Sequence, residues 1–399
     1  MGDTGSPTPV TQDFPGGCLE RERMHRECFD NTCFPFLNHF IRKSFKRLPT
    51  TIEWVRFRKY TQRMRELALD GNLDVLSLEA LSVLRFATIN EHLPPNLKIL
   101  RLWEVREPFI RFISLFLSPG ITSISLAFES NVSKAMIAST VKFLPTLCPK
   151  LQAIQLCSLP RDPMITAAVS EMLLATSRNT LQKFCVDSPL TKETSEVVYR
   201  LPNLCNLSVV IEGESSLSSA SLPNLTHLTI ACDNEDDWPR LFRGATFGKL
   251  ESVTFYPESK GIGDFLGAFE KAALSSSVQD TLSTFHISMS SSWNPNYSSL
   301  LPFTHLVHLS IGPPCEDECS SRVDDDIVID LSRAMPKLQV LQLGGTPCNG
   351  PMTGVTAKGL GPWPSTARIS KTFVYTFFFF LFLFFGVAIE KQRLVNQSA

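Results

Sequence analysis

The sequence lacks an excess of charge of either sign. Among its 399 residues, 38 are Lys or Arg and 39 are Asp or Glu, so the formal net charge is −1. A surface that follows a nucleic-acid backbone needs a clear basic excess, because its affinity comes from neutralising phosphates. We therefore expect no nucleic-acid partner. A hydrophobic content of 43% also excludes a chain that is disordered throughout.

The short motifs of common catalytic sites are missing as well. The chain contains no GxSxG, HExxH, GxGxxG or phosphate-binding P-loop pattern. The acidic runs at 235–237 and 324–326 fit solvated loops or helix starts better than a catalytic carboxylate pair. We therefore expect a protein without enzymatic activity, cofactor or metal.

The 11 cysteines lack the paired spacings of a disulfide framework or a zinc site. Several lie in or beside apolar positions, where a reduced cysteine acts as a small hydrophobic residue. The N-terminus has no apolar segment of the kind that forms a secretory signal. These features predict a reducing compartment, either the cytoplasm or the nucleus.

What the chain does contain is one hexamer repeated eleven times, with the pattern apolar-x-x-apolar-x-apolar. The first and last copies begin 274 residues apart, so the mean spacing is about 27 residues. Several copies follow a proline turn, as in Leu201-Pro202-Asn203-Leu204. The hexamers begin at Met64, Leu97, Ile121, Leu151, Leu181, Leu204, Leu225, Leu250, Leu282, Leu306 and Leu338.

This period and pattern predict an α/β fold, a leucine-rich-repeat solenoid over residues 61–360. Each hexamer forms a short strand that buries its apolar side only by stacking on its neighbours. The result is a curved parallel sheet with irregular helices and loops on its convex side. The two intervals that begin at Leu181 and Leu204 are short, so we expect loops or one-turn helices there. Helical stretches are predicted at Ser133–Leu144, Ile165–Ala175, Lys192–Tyr199, Asp264–Ala273 and Asp325–Ala334.

The candidate functional surface is the concave face of that sheet. It is lined by the third and fifth residues of each hexamer, which point away from the core. Their side chains are mostly small, polar and uncharged, which favours a protein partner over nucleic acid. The candidate binding residues are Arg101, Ser123, Ser125, Gln155, Lys183, Asn206, Ser208, His227, Thr229, Ser252, Thr254, His286, His308 and Gln342.

Three histidines, His227, His286 and His308, lie toward the C-terminal half of this face. They admit two interpretations, a patch that senses pH or binds metal, and ordinary strand histidines with local hydrogen bonds. Because they alternate between the third and fifth positions and a hexamer without histidine separates them, the second interpretation is preferred.

The segment before the first hexamer resembles a known family. Trp54, Phe57 and Tyr60, followed by Arg63-x-x-x-Leu67, resemble the helix that opens the repeat array of fungal F-box/leucine-rich-repeat proteins, and the resemblance extends over about 50–360. It implies a substrate receptor of a cullin-type ubiquitin ligase, whose F-box binds a Skp-type adaptor and whose repeats hold the substrate. Residues 1–50 contain no legible F-box opening. We therefore expect a disordered leader at 1–17 and, at 18–60, a helical cap or the remnant of an F-box.

Residues 361–399 form an atypical tail. Its segment 373–389 has no charged residue and includes eight phenylalanines. One interpretation is a single-pass tail anchor that leaves the repeats facing the cytosol as a membrane-bound protein-binding module. The other is a frame-shifted or intron-derived end of a longer repeat protein, in which case no membrane is involved. Residues that mark the candidate membrane segment are Phe373, Phe377, Phe380, Phe385 and Ile389.

Overall fold

The computed structural model describes residues 50–69, 78–87, 92–176, 180–211, 221–232, 245–257, 265–288, 296–312, 324–343 and 368–369. All of them belong to one compact unit, Phe34–Ala399. The predicted leader at 1–17, most of the predicted cap at 18–60, and the candidate membrane segment lie outside the described residues. Within the described part, no helix is long and apolar enough to cross a membrane.

The central element is a sheet of twelve parallel strands whose order follows the chain. Two further short strands, Ser221–Leu222 and Thr246–Phe247, pair with each other in a separate small sheet. The α/β class and the parallel pairing of the predicted strands are thus confirmed. The strands are β1 (Glu66–Leu69), β2 (Ile99–Val105), β3 (Ser123–Phe128), β4 (Ala153–Cys157), β5 (Lys183–Pro189), β6 (Asn206–Ile211), β7 (Ser221–Leu222), β8 (His227–Cys232), β9 (Thr246–Phe247), β10 (Ser252–Pro257), β11 (Thr284–Ser288), β12 (His308–Gly312), β13 (Val340–Leu343) and β14 (Arg368–Ile369).

Successive hexamers are joined by one recurring backbone arrangement, in which the carbonyl of the second residue accepts two N–H groups of the next hexamer. The Lys98 carbonyl, for example, accepts from Thr122 N at 2.9 Å and from Ser123 N at 3.0 Å. The same pair of bonds occurs at all ten junctions from Arg65 to Val340. We call this series of shared carbonyls the backbone rail. It fixes the register, so that equivalent residues of neighbouring hexamers lie side by side.

In the described residues, eight α-helices lie between or before the strands, and side chains at their N-termini explain where several begin. Asp162, Thr191 and Asp324 accept backbone N–H groups as N-caps, which satisfies donors that lack a helical partner. The helices are α1 (Thr51–Thr61), α2 (Leu78–Ala87), α3 (Glu107–Ile113), α4 (Lys134–Leu147), α5 (Pro163–Ala175), α6 (Lys192–Tyr199), α7 (Phe265–Ser275) and α8 (Asp325–Ala334).

The five predicted helical stretches correspond to α4–α8, whereas α2 and α3 were not predicted. One expectation is wrong. For the short interval that begins at Leu181, the sequence supports two expectations, and the structure has the helix at Lys192–Tyr199 (α6, 8 residues) rather than a loop or a single turn. There is room for it because only Leu190 and Thr191 separate β5 from α6. The loop expected after β6 falls on 212–220, outside the described residues.

The core lies between the sheet and the helices. The three apolar residues of the second hexamer, Leu97, Leu100 and Leu102, are each 0% exposed, and this burial recurs along the sheet. Helical residues such as Ile137 and Val141 join them in one continuous cluster. Because the strand order never reverses, right-handed crossovers place the helices on a single face. The opposite face of the sheet is therefore left to the third and fifth residues of the hexamers.

Candidate functional site

The predicted binding residues form two columns that run across the strands on the face opposite the core. The third residues of the hexamers make the first column, in which Ser123 pairs with Ala153 and Ala153 with Lys183. The fifth residues make the second column, in which Ser125 pairs with Gln155. All fourteen candidate residues occupy these columns. The structure thus brings them together on one surface, which we call the open face.

Exposure along the open face is graded. Lys183, His227 and His308 in the first column are exposed, whereas most residues of both columns are half-buried. Ser125 is only 4% exposed, and its hydroxyl donates to Gln155 Oε1 at 3.1 Å. A similar bond joins Ser310 to Gln342 Oε1 at 3.4 Å near the other end. Two pairs of the second column are therefore joined by hydrogen bonds between strands, while three residues of the first column are exposed to solvent.

The charges of the open face nearly cancel. Arg101 Nη1 lies 2.5 Å from Glu66 Oε1, with the two side chains 29% and 37% exposed. Both are held in place because β1 and β2 pair in parallel, with Ala68 opposite Arg101. Among the described third and fifth residues of the hexamers, Lys183 is the remaining one with a charge. Binding on this face must therefore depend on hydrogen bonds and shape rather than on a field of one sign.

The three histidines do not form a cluster. His227 Nδ1 lies 2.8 Å from the Thr226 hydroxyl, and β10 separates it from the other two. His286 packs against the Tyr256 ring, with centroids 6.3 Å apart, and burial lowers the pKa of its imidazole. His308 is exposed on the neighbouring strand. In the part of the chain that the structure describes, no group of three or more His, Cys, Asp or Glu side chains could hold a metal ion.

Sequence reasoning missed a third column on this face. The two-residue alternation continues past the hexamer, so Ala127 pairs with Cys157, and Ala231 lies between Val210 and Tyr256. Except for the half-buried Tyr256, these residues are at most 7% exposed. The signal was present in the sequence as a small or apolar residue six positions after the hexamer starts Ile121, Leu151, Leu204 and Leu225, one residue beyond the hexamer pattern.

Two cysteines meet at the junction of the second and third columns. Cys157 on β4 and Cys185 on β5 lie diagonally, because Gln155 is the register partner of Cys185. Their mutual hydrogen bond and burial raise the pKa of the Cys157 thiol. A protonated, buried thiol is a poor nucleophile at neutral pH. Cys157 therefore acts as a packing residue within the face.

A turn with a left-handed residue directly follows β4, next to Cys157. Ser158 has a φ of 56°, a conformation that ordinary residues rarely adopt. The Asp187 carboxylate accepts the backbone N–H of Ser158 and, at 3.1 Å, that of Leu159. One acidic side chain on β5 thus holds the turn that follows β4.

Chemically, the open face offers rows of hydroxyl, amide and imidazole groups at the spacing of neighbouring strands. Such groups donate and accept hydrogen bonds but supply no strong charge. No protein-family model and no curated protein matches the chain.

Proposed function

We propose that the chain is a leucine-rich-repeat solenoid whose open face is the concave surface and binds another protein without catalysing a reaction. The backbone rail supports the solenoid, because the same bonds join equivalent residues at ten successive junctions. Stacks of units that contact only their neighbours are typical of repeat proteins, and such stacks present long binding surfaces.

The observation that most favours a protein partner is the composition of the two columns. Most of their side chains are half-buried and uncharged, many can hydrogen-bond, and they repeat at roughly 4.8 Å from strand to strand. Backbone and side-chain groups of a polypeptide can pair with such rows, whereas phosphates require cations. The preformed register also limits the ordering cost of binding.

The family resemblance gives this proposal its more specific form, a substrate receptor of a ubiquitin ligase that engages a Skp-type adaptor. The resembling segment is α1, whose capping box joins Thr50 and Glu53 in both directions. Trp54 and Phe57 contact each other at a centroid distance of 5.6 Å and pack against the core. This arrangement supports α1 as the element that precedes the first repeat, as in the family it resembles.

The adaptor interaction is tested by mixing the purified full chain with a recombinant Skp-type adaptor and measuring co-elution on size exclusion. The expected result is a complex of the two proteins. If none forms, the ligase role fails and the open face serves another partner.

Binding by the open face is tested with the double substitution Ser208→Trp/Thr254→Trp in the second column. The matched control is Leu174→Trp, because Leu174 is 54% exposed on the helical side. Proteins that are crosslinked to the wild-type chain should also be crosslinked to the control variant but not to the double variant. An identical set of crosslinked proteins in all three samples contradicts the proposal.

A second candidate function is a membrane-anchored version of the same binding module. The uncharged segment 373–389 is the observation that favours it. After carbonate extraction, the full chain should stay with membranes and a chain lacking 373–389 should be released. Release of both chains rejects the membrane anchor. The origin of the tail is tested separately by sequencing the transcript across codons 355–380, where a continuous reading frame rejects a frame shift.

A further inference from the structure

Five basic residues line one edge of the sheet, where strands β1–β5 begin. Each lies within three residues of a strand start or is its first residue, and all five are exposed. We call this row the cationic edge. Its members are Arg63, Arg65, Lys98, Lys150 and Lys183.

Acidic residues do not balance this edge. The segments that lead into β2–β5, residues 92–100, 114–125, 145–155 and 176–186, contain no Asp or Glu. Glu66 at the start of β1 is already held by Arg101 at 2.5 Å. Among the described residues, the cationic edge forms no ion pair; Arg65 Nη1 instead donates to the Asn96 carbonyl at 3.3 Å.

The other half of the same edge is less basic. By the same criterion, the strands of the main sheet after β5 have two lysines, Lys249 and Lys337, the first residue of β14, Arg368, and one acid, Glu251. The basic residues are therefore denser over β1–β5 than over the remaining strands.

The dimensions of the cationic edge suit a short extended peptide. Four strand spacings separate β1 from β5, which is about 19 Å. An extended chain covers that distance with about six residues. Lys183 also belongs to the first column, so a segment bound along the edge would continue onto the open face.

We propose that the cationic edge binds an acidic segment of the protein partner, while the open face holds the adjoining residues by hydrogen bonds. This inference rests on the proposed function and names the chemistry of the partner. Nucleic acid is the less favoured ligand, because the two aromatic residues of the four segments, Phe116 and Phe184, are buried and cannot stack on bases.

The test measures fluorescence polarisation of a labelled octaglutamate peptide with the full chain at low salt. An octaglutamine peptide and an oligothymidine of similar length serve as comparison probes. The charge-reversal variant is Lys98→Glu/Lys150→Glu, and its matched control is Lys249→Glu/Lys337→Glu. Lys150 and Lys337 occupy equivalent positions, in Cys148-Pro149-Lys150-Leu151 and Met335-Pro336-Lys337-Leu338.

The wild-type chain and the control should bind octaglutamate alike, and the charge-reversal variant should bind it about tenfold more weakly. Raising the salt to about 0.5 M should remove most of the binding, because the pairs are exposed. Equal losses in both variants, or no binding by the wild-type chain, overturn the inference. If the wild-type chain prefers oligothymidine and the charge-reversal variant does not bind it, the ligand of the cationic edge is a phosphate backbone and not an acidic peptide.

Failure of this inference is distinct from failure of the proposed function. Ser208→Trp/Thr254→Trp leaves the cationic edge intact and should keep the octaglutamate affinity of the wild-type chain. Suppose that a partner protein is lost from that variant and that octaglutamate does not bind the wild-type chain. The open face then remains the binding surface, and only the acidic segment is refuted.

Discussion

At the residue scale, a few polar side chains determine local conformations that the hexamer pattern does not explain. Asp187 is the clearest case, since its carboxylate holds the left-handed turn at Ser158. From the sequence alone, an acidic residue at this position suggests a charged site. Its two backbone partners show that it stabilises the turn between β4 and α5.

Replacement of Asp187 by Ala should lower the free energy of unfolding by about 2 kcal/mol, because two backbone N–H groups lose a charged acceptor. Ser158→Gly should be neutral or stabilising, since glycine adopts a positive φ without steric cost. Urea unfolding followed by circular dichroism measures both effects. A loss in Ser158→Gly as large as that in Asp187→Ala would contradict this account of the turn.

His286 should make folding depend on pH. Burial lowers the pKa of His286 in the folded chain, whereas an unfolded histidine titrates near about 6.5. The unfolded state then binds protons more readily, so stability falls as the pH drops below about 6.5. His286→Gln should therefore lose less Tm than the wild-type chain between about pH 7.5 and pH 5.

At the element scale, helix α7 is fixed to the sheet by aromatic packing. The Phe269 ring lies 5.5 Å from Phe255, 5.4 Å from Phe285 and 5.6 Å from Phe303, measured between centroids. The hexamers account for Phe255 and Phe285, while Phe269 comes from the helix and Phe303 from the turn before β12. The phenylalanine content outside the tail thus has a structural role in this part of the core.

Phe269→Ala should cost about 3–5 kcal/mol of stability, because it leaves a cavity among three rings. Phe269→Leu should cost roughly 1.5 kcal/mol or less, since it retains most of the apolar volume. Leu274→Ala on the same helix is the control; Leu274 is 43% exposed. Thermal and urea unfolding compare the three variants. A control as damaging as Phe269→Ala would show that α7 is sensitive to any substitution.

The strands were predictable from the sequence because apolar alternation determines both their position and their face. Helices α2 and α3 were not predicted. Helix α3 has only 7 residues, too few to show a helical period. The two columns of the open face followed from the same alternation. The third column was missed because its buried residues, such as Val210 and Ala231, lie one position beyond the hexamer pattern.

At the scale of the whole molecule, the backbone rail bears directly on the proposed solenoid. If each unit is stabilised mainly by its neighbours, a local defect should spread to adjacent units and fade with distance. A globular domain with one cooperative core would instead weaken throughout. A substitution that strains one turn without altering the core can separate these cases.

Gly248, in the turn before β10, provides that substitution. A Cβ at this position would meet the Pro223 carbonyl oxygen far inside contact distance and lie 3.1 Å from Pro223 Cα, so the backbone of one turn must move. In Gly248→Ala, amide hydrogen exchange should accelerate over 222–232 and 250–257 while remaining at the wild-type rate over 97–157. Gly120→Ala is the matched control, because its Cβ would lie 3.4 Å from the Leu97 carbonyl oxygen, an ordinary contact. Acceleration of equal size across all strands in Gly248→Ala would contradict the solenoid, since it would show that the sheet opens as a single unit.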